Sequence, residues 1–296
     1  MNIKMKTRLL WMFIPAIITA CSGDNGKSDA YGNFEAKEVI VSAEAQGKLI
    51  SFKIEEGTRI DKGSLVGVVD TITLSIQKEQ LFAQKQAVAT KLTNIHAQVA
   101  VQEEQMNNLK IEKERIENLY NDNAASKQQY DDIKGKYDVL EKQIVATKTQ
   151  ISSVSKEMEV VDKQIKLVNE QIRKAYIINP IDGVVLEKYL EENEIAVIGK
   201  ALYKIARLDE IELRVYVSGS QLPNVKLGQE VKVYVDKTED SNDELEGEVI
   251  WISDQAEFTP KIIQTKEERV NMVYAVKVRV KNDGRLKIGM PGEVVF

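Results

Sequence analysis

Cysteine and histidine are nearly absent from this chain of 296 residues, which contains one of each. A single cysteine excludes a disulfide framework and a thiolate metal cage. A single histidine excludes a His-rich metal site and argues against His-based catalysis, and the sequence contains no Gly-rich phosphate loop. The sequence therefore predicts no enzyme activity, no catalytic residue, no metal and no cofactor.

Helix-breaking residues are missing from the middle of the chain. No proline occurs between residues 16 and 179, and Gly135 is the only glycine between Thr71 and Asp182. Because proline costs about 3 kcal/mol and glycine about 1 kcal/mol inside a helix, this distribution predicts long helices. The flanking segments are rich in valine and isoleucine, which favours strands.

An excess of basic charge is also lacking. The chain has 41 Lys and Arg residues against 46 Asp and Glu residues, a net charge of −5 with both signs interspersed. Nucleic acid is therefore not an expected partner. A hydrophobic fraction of 43% is typical of a globular protein, and the length indicates two or three domains.

The start of the chain has the pattern of a bacterial lipoprotein signal. Three basic residues precede an apolar run over residues 9–18, which is too short to span a bilayer. The run ends in Ile18-Thr19-Ala20-Cys21, which resembles the lipobox. Residues 1–20 are therefore predicted to be a lipoprotein signal peptide and Cys21 the lipid-attachment site. The alternative is an ordinary secretory or uncleaved segment with an incidental cysteine.

The residues that follow this cysteine are small and polar. Residues 21–34 contain no apolar periodicity and predict a flexible tether. Two or three acyl chains on Cys21 would anchor the mature protein stably in a membrane.

A glycine-turn motif occurs on both sides of the predicted helices. Residues 35–70 alternate between apolar and polar side chains around the turns of segment 55–65, and residues 174–207 repeat the pattern around segment 194–202. Each copy resembles half of a biotinyl/lipoyl domain. Carrier domains modify a lysine that is usually flanked by Met, and no Met-Lys-Met sequence occurs here. The two copies therefore predict one structural β-sandwich, a lipoyl-like barrel-sandwich hybrid, and not a swinging-arm carrier.

Heptad repeats run through the insertion at residues 71–173. The first arm has one seam that is apolar at six of seven positions: Leu74, Leu81, Val88, Ile95, Gln102, Leu109 and Ile116. The second arm has one series at Tyr130, Tyr137, Ile144, Ile151, Met158, Ile165 and Ile172, and another at Ile133, Leu140, Thr147, Val154, Val161 and Val168. These repeats predict an antiparallel α-helical coiled-coil hairpin that turns at residues 121–125.

The remaining residues, 208–296, return to short alternating strands. Segments 211–217, 231–235 and 274–280 have the period of half-buried strands and are separated by turn signals. This pattern predicts a β-barrel domain.

Split lipoyl halves around a coiled-coil hairpin, followed by a β-barrel, resemble the HlyD-type membrane fusion protein family in its lipoprotein form. The resemblance covers nearly all of the mature chain, and barrel segments 258–269 and 286–294 are similar to adaptors of ABC-type exporters. The resemblance implies an elongated α+β fold and a non-enzymatic periplasmic adaptor of a tripartite efflux or secretion system.

Partners and location are also implied by this resemblance. They are an inner-membrane ABC transporter, with its ATPase and permease, a TolC-like outer-membrane channel, and further copies of the chain in a hexameric ring. The protein would be anchored to the outer leaflet of the inner membrane of a Gram-negative bacterium.

Two alternatives to this function remain. Adaptors of RND pumps usually continue past the barrel into a membrane-proximal domain, and this sequence ends at Phe296, so an ABC exporter is favoured over an RND pump. A structural coiled-coil envelope lipoprotein is the alternative from another class, but it would not need two lipoyl halves around the hairpin.

A candidate docking motif lies at the predicted tip of the hairpin. Arg115, Leu119 and Ser126 have the spacing Arg-x3-Leu-x6-Ser, similar to the motif by which these adaptors engage a TolC-like channel. Arg115 and Leu119 are four residues apart and therefore share one helix face. Two simpler interpretations exist: Leu119 could be a seam residue, and Ser126 could form a capping box with Gln129.

Overall fold

The computed structural model describes residues 28–238, 241–258 and 272–296, which form two compact units. One unit comprises residues 36–209, and the other combines strand β1 (Ala30–Glu35) with residues 210–296. The predicted signal peptide and Cys21 lie outside the described residues, as does most of segment 258–269.

The unit of residues 36–209 contains a β-sandwich built from two separated parts of the sequence. The first part supplies β2 (Glu38–Ser42), β3 (Gly47–Phe52), β4 (Arg59–Ile60) and β5 (Leu65–Val69). The second supplies β6 (Tyr176–Ile178), β7 (Gly183–Lys188), β8 (Ile195–Ala196) and β9 (Ala201–Ala206). The sheets have the orders β2-β9-β7-β4 and β6-β5-β3-β8, so each takes two strands from each part. The predicted split lipoyl-like sandwich is confirmed.

Equivalent glycine turns tie the two halves to each other. Gly57 donates its N–H to the carbonyl of Val185 at 2.8 Å, and Gly199 donates to the carbonyl of Ala43 at 2.9 Å. Both glycines have positive φ, 80° and 85°, a region that residues with a Cβ avoid. The glycine turn of each half therefore bonds to the backbone of the other half.

A buried asparagine connects the halves through its side chain. The Nδ2 of Asn179 donates to the carbonyls of Ile60, Asp61 and Ile181 at 3.2, 3.0 and 2.6 Å. Its Oδ1 accepts from the Tyr203 hydroxyl at 2.9 Å. Asn179 is 1% exposed and Tyr203 0% exposed, and burial raises the pKa of the Tyr203 phenol. The Asn179 amide therefore bonds one half of the sandwich to the other, and its contact with Tyr203 is fully buried.

The insertion between the halves is a hairpin of two long helices, α1 (Ile72–Asn121) and α2 (Lys127–Ala175). All three predicted seams are buried or half-buried along the helices. Ion pairs cross between the helices outside the seam, at 2.6 Å for Lys148–Glu103 and 3.2 Å for Lys91–Glu157. The predicted antiparallel hairpin is confirmed, with helix bounds that differ from residues 71–173 by one or two residues.

The first helix has a second seam that the heptad pattern did not predict. It lies four residues after the first and is also shielded: Lys78, Lys85, Leu92, Val99, Met106, Lys113 and Tyr120. The lysines keep their charges solvated or paired: Lys85 Nζ lies 2.6 Å from Asp162, and Lys113 Nζ lies 4.6 Å from the Tyr137 ring centroid. Lysine stems cover apolar surface while the ammonium stays outside, so three seam positions look polar in the sequence.

One polar level interrupts the apolar seam near its middle. The Thr147 hydroxyl donates to the Gln143 carbonyl at 3.0 Å, and the buried Gln102 Oε1 has no hydrogen-bond partner among the described residues. The Glu103–Lys148 ion pair places Gln102 and Thr147 at the same level of the hairpin. A polar residue at a seam position favours one register of the two helices at some expense in stability.

The other unit is a closed barrel of six antiparallel strands. Besides β1, it contains β10 (Glu210–Ser218), β11 (Glu230–Thr238), β12 (Ser241–Ile252), β14 (Met272–Lys281) and β15 (Pro291–Val295). The order is β10-β1-β15-β11-β12-β14, and pairing of β10 with β14 closes the ring. A short strand, β13 (Glu257–Phe258), adds to β14. The predicted β-barrel is confirmed, and with the helical hairpin it gives the predicted α+β fold.

The tether predicted over residues 21–34 is wrong for its last part, because β1 is an integral barrel strand. It pairs with β10 on one side and with β15 on the other. Gly32, which indicates flexibility in the sequence, is required by close approach: a Cβ there would lie 1.8 Å from the Arg214 carbonyl oxygen. Both partners of β1 are more than 170 residues away, so no local pattern reveals the strand.

Candidate docking site at the hairpin tip

The turn between the two helices is a defined structure. After the C-cap Asp122, Asn123 adopts the left-handed conformation with φ of 60°. The N–H of Ala124 donates to the Leu119 carbonyl at 2.7 Å, and the N–H of Asn123 donates to the Tyr120 carbonyl at 3.0 Å. These two bonds form a Schellman motif, which satisfies the last carbonyls of α1 and reverses the chain.

Two tyrosines close the hairpin immediately behind this turn. The rings of Tyr120 and Tyr130 stack with centroids 5.2 Å apart and an interplanar angle of 11°. The sequence predicted Tyr130 as a seam residue but did not predict its partner, because Tyr120 belongs to the lysine-containing seam of α1. The stack joins the last turn of α1 to the first turn of α2, and the turn residues lie between the two rings in the sequence.

Ser126 is the N-cap of α2. The backbone N–H of Gln129 donates to its Oγ at 3.3 Å, and the backbone N–H of Ser126 donates to Gln129 Oε1 at 2.8 Å. The hydroxyl of Ser126 also donates to Gln129 Oε1 at 3.0 Å. The capping box, offered as the simpler interpretation of Ser126, is therefore present, and a role of Ser126 in docking stays a prediction.

Arg115 and Leu119 lie on the outside of α1. The Arg115 side chain is 68% exposed and forms an ion pair with Glu112 at 3.3 Å on the same helix. Leu119 is 40% exposed, whereas the seam residues on either side of it in the sequence, Ile116 and Tyr120, are half-buried. The interpretation of Leu119 as a seam residue is therefore wrong. The structure leaves an apolar side chain and a guanidinium facing solvent one helical turn apart.

Loss of the cap is expected to lower the stability of the hairpin. Ser126→Ala removes the acceptor for the Gln129 N–H and should lower the free energy of unfolding of the hairpin by about 1 kcal/mol. Thermal unfolding followed by circular dichroism measures the change, with the exposed Ser155→Ala in the interior of α2 as the control. Equal melting temperatures for both variants would contradict the assignment of Ser126 as the cap.

No group of three or more His, Cys, Asp or Glu side chains that could hold a metal ion occurs in residues 28–238, 241–258 and 272–296. Within the same ranges, no helix is both long and apolar enough to cross a membrane.

Known proteins share this architecture. No family model matches the chain. The chain is 26% identical over 293 residues to a UPF0194 membrane protein of Yersinia enterocolitica, covering 90% of this chain and 88% of the relative. The fold is similar to that of MacA from Actinobacillus actinomycetemcomitans, with a TM-score of 0.57, 18% identity, and coverage of 90% of this chain and 76% of that chain.

A second solved structure has the same fold. It is the membrane fusion protein Spr0693 from Streptococcus pneumoniae R6, with a TM-score of 0.52, 15% identity, and coverage of 90% of this chain and 96% of that chain. Together with the split sandwich, the hairpin and the barrel, these similarities show that the chain has the fold of a membrane fusion protein. The predicted resemblance to the HlyD-type membrane fusion proteins is confirmed.

Proposed function

We propose that this protein is a non-enzymatic periplasmic adaptor that connects an inner-membrane transporter to a TolC-like outer-membrane channel. The observation that carries the proposal is the hairpin, which leaves the sandwich after β5 and returns to it at β6. Its first helix has 50 residues, which at 1.5 Å per residue span about 75 Å. Such a hairpin holds its tip far from the sandwich that anchors its two ends.

The exposed groups at the tip support docking to another protein. Arg115 offers a planar set of donors suited to carbonyl and carboxylate oxygens. Leu119 offers an apolar side chain that would lose water on packing between the helices of a partner. A structural coiled-coil lipoprotein would need neither these groups nor a sandwich that brings both helix ends together.

The transporter proposed as the inner-membrane partner is of the ABC type. The support is the similarity of barrel segments 258–269 and 286–294 to adaptors of ABC-type exporters; an RND pump is the second candidate. The test is purification of the membrane-extracted protein with its partners after cross-linking in cells. We expect an ATPase and a permease, and an increase in ATPase activity when the adaptor is added back to the reconstituted transporter. Capture of a proton-driven pump in their place would overturn the ABC assignment.

The proposed anchor is a lipid on Cys21. Cys21→Ala should abolish incorporation of radioactive fatty acid and leave the signal peptide uncleaved, because the lipoprotein peptidase acts on the lipid-modified cysteine. Ser22→Ala is the matched control and should be labelled and processed normally. Label that persists in the Cys21→Ala protein would refute the anchor.

A further inference from the structure

The chain enters the barrel at a defined end. The Asp29 carbonyl accepts a hydrogen bond from Gln221 Nε2 at 2.8 Å, and its carboxylate accepts from the Phe296 N–H at 3.0 Å. We call this the N-terminal end of the barrel; β1 begins here just after Asp29, β11 begins here after the turn at residues 226–229, and β12 ends here just after Trp251. The chain leaves the barrel at Glu35 and returns to it at Glu210. Both residues lie at the other end of the barrel, away from Asp29.

The length of chain before this end limits its distance from a membrane. Seven residue steps separate Cys21 from Ser28, and a fully extended chain of this length spans at most about 25 Å. If the proposed lipid is on Cys21, the N-terminal end of the barrel is held within that distance of the bilayer surface.

An apolar side chain projects from this end of the barrel. Leu227 is 70% exposed, although the turn that carries it is well braced. The N–H of Gln229 donates to the Lys226 carbonyl at 3.1 Å, Gly228 has a φ of 78°, and the N–H of Gly228 donates to the Val249 carbonyl at 2.8 Å. The preceding Val225 is buried at 6% exposure, so the turn holds Leu227 in water rather than letting it fold back.

The single tryptophan of the mature chain lies at the same end. The only other tryptophan is Trp11, within the predicted signal peptide. Trp251 is 40% exposed and lies two residues after Val249, the residue that accepts the hydrogen bond from the turn. Tryptophan indoles favour the membrane–water interface, where the ring is apolar and the N–H meets polar groups.

We propose that the N-terminal end of the barrel contacts the phospholipid surface, with Leu227 inserted among the lipids and Trp251 at the interface; this inference rests on the proposed lipid anchor at Cys21. Leu227 is the second residue of a tight turn and is 70% exposed; a projecting side chain of this kind needs no complementary groove, which suits a fluid lipid surface better than a protein partner. The short chain between the acylated Cys21 and Asp29 keeps the N-terminal end of the barrel close to the bilayer surface without further contacts.

The barrel provides a matched control at its other end. Residues 287–290 form the same kind of turn: the Met290 N–H donates to the Lys287 carbonyl at 3.1 Å, and Gly289 has a φ of 82°. Ile288 occupies the position of Leu227 and is 40% exposed. It follows β14 and precedes β15, and is therefore at the end away from Asp29.

The test uses the full acylated protein in vesicles of phosphatidylethanolamine and phosphatidylglycerol with brominated acyl chains, which quench tryptophan fluorescence. Trp251 should be quenched in the wild type, Leu227→Ser should at least halve the quenching, and Ile288→Ser should leave it unchanged. Vesicle flotation is measured on the same samples and reports the anchor independently.

Three outcomes would overturn the proposal. The first is equal quenching of Trp251 in all three proteins, or no quenching of Trp251 in proteins that float with the vesicles. Either result excludes lipid contact by Leu227 and leaves the anchor intact. Quenching that requires a reconstituted transporter would assign this end to a protein partner. Failure of the wild type to float would refute the anchor and, with it, the inference.

Discussion

Leu119→Asp is expected to abolish docking of the hairpin tip to the outer-membrane channel without unfolding the hairpin. Leu119 is 40% exposed and outside both seams of α1, so a carboxylate at this position stays solvated in the free protein. In a docked state the charge would lose its water without a partner, which is strongly unfavourable. A loss of about 2 kcal/mol or more, roughly 30-fold in affinity, is expected from the central side chain of an interface.

The measurement compares channel cross-linking, export and melting temperature. A photoreactive residue at Asp122, exposed beside the tip, reports channel contact in every variant. Arg115→Ala should weaken cross-linking at unchanged stability, because its exposed ion pair with Glu112 contributes little to folding.

Ile111→Asp is the matched control for Leu119→Asp. Ile111 lies on the same helix, two turns before Leu119, and is 62% exposed. It should cross-link and export as the wild type does. If Leu119→Asp and Arg115→Ala both behave like this control, the tip residues do no more than complete the turn of the hairpin.

The largest effect on stability is expected from Asn179→Ala. The substitution removes the common partner of the buried Tyr203 hydroxyl and of the partly buried carbonyl contacts with Ile60, Asp61 and Ile181. A buried polar group left unpaired costs about 1–3 kcal/mol, so the combined loss should be about 3 kcal/mol or more. Urea unfolding measures it, with the exposed Asn169→Ala as the control. A difference below that of the control would contradict a role for Asn179 in joining the halves.

The same network predicts a dependence on alkaline pH. Burial raises the pKa of Tyr203 above its ordinary value of 10.0. The unfolded state therefore loses this proton first, and the contribution of Tyr203 to stability is complete below pH 10 and declines as the pH rises further. Tyr203→Phe cannot ionise, so its stability should fall less steeply than that of the wild type above pH 10. Parallel curves for the two proteins would exclude Tyr203 as the group responsible.

The features of the fold that could be predicted from the sequence depend on short-range patterns. The absence of proline and the heptads determined the two helices, because helix propensity and i to i+7 spacing act within a few turns. The duplicated glycine turns determined the split sandwich, since positive φ at Gly57 and Gly199 restricts the residue at each position. The capping box at Ser126 could also be predicted from the sequence, because both of its partners lie within four residues.

The tertiary structure alone decided the features that depend on distant residues. Strand β1 is ordered by pairing with β10 and β15, and Gly32 serves close approach to Arg214 rather than flexibility. The second seam of α1 was hidden because lysine stems can cover an apolar seam while their charges reach Asp162 or the Tyr137 ring. The exposure of Leu119 also could not be predicted from the sequence. Either Leu119 or Tyr120 could face the partner helix, and only the packing of the two helices places Tyr120 on the inside, against Tyr130.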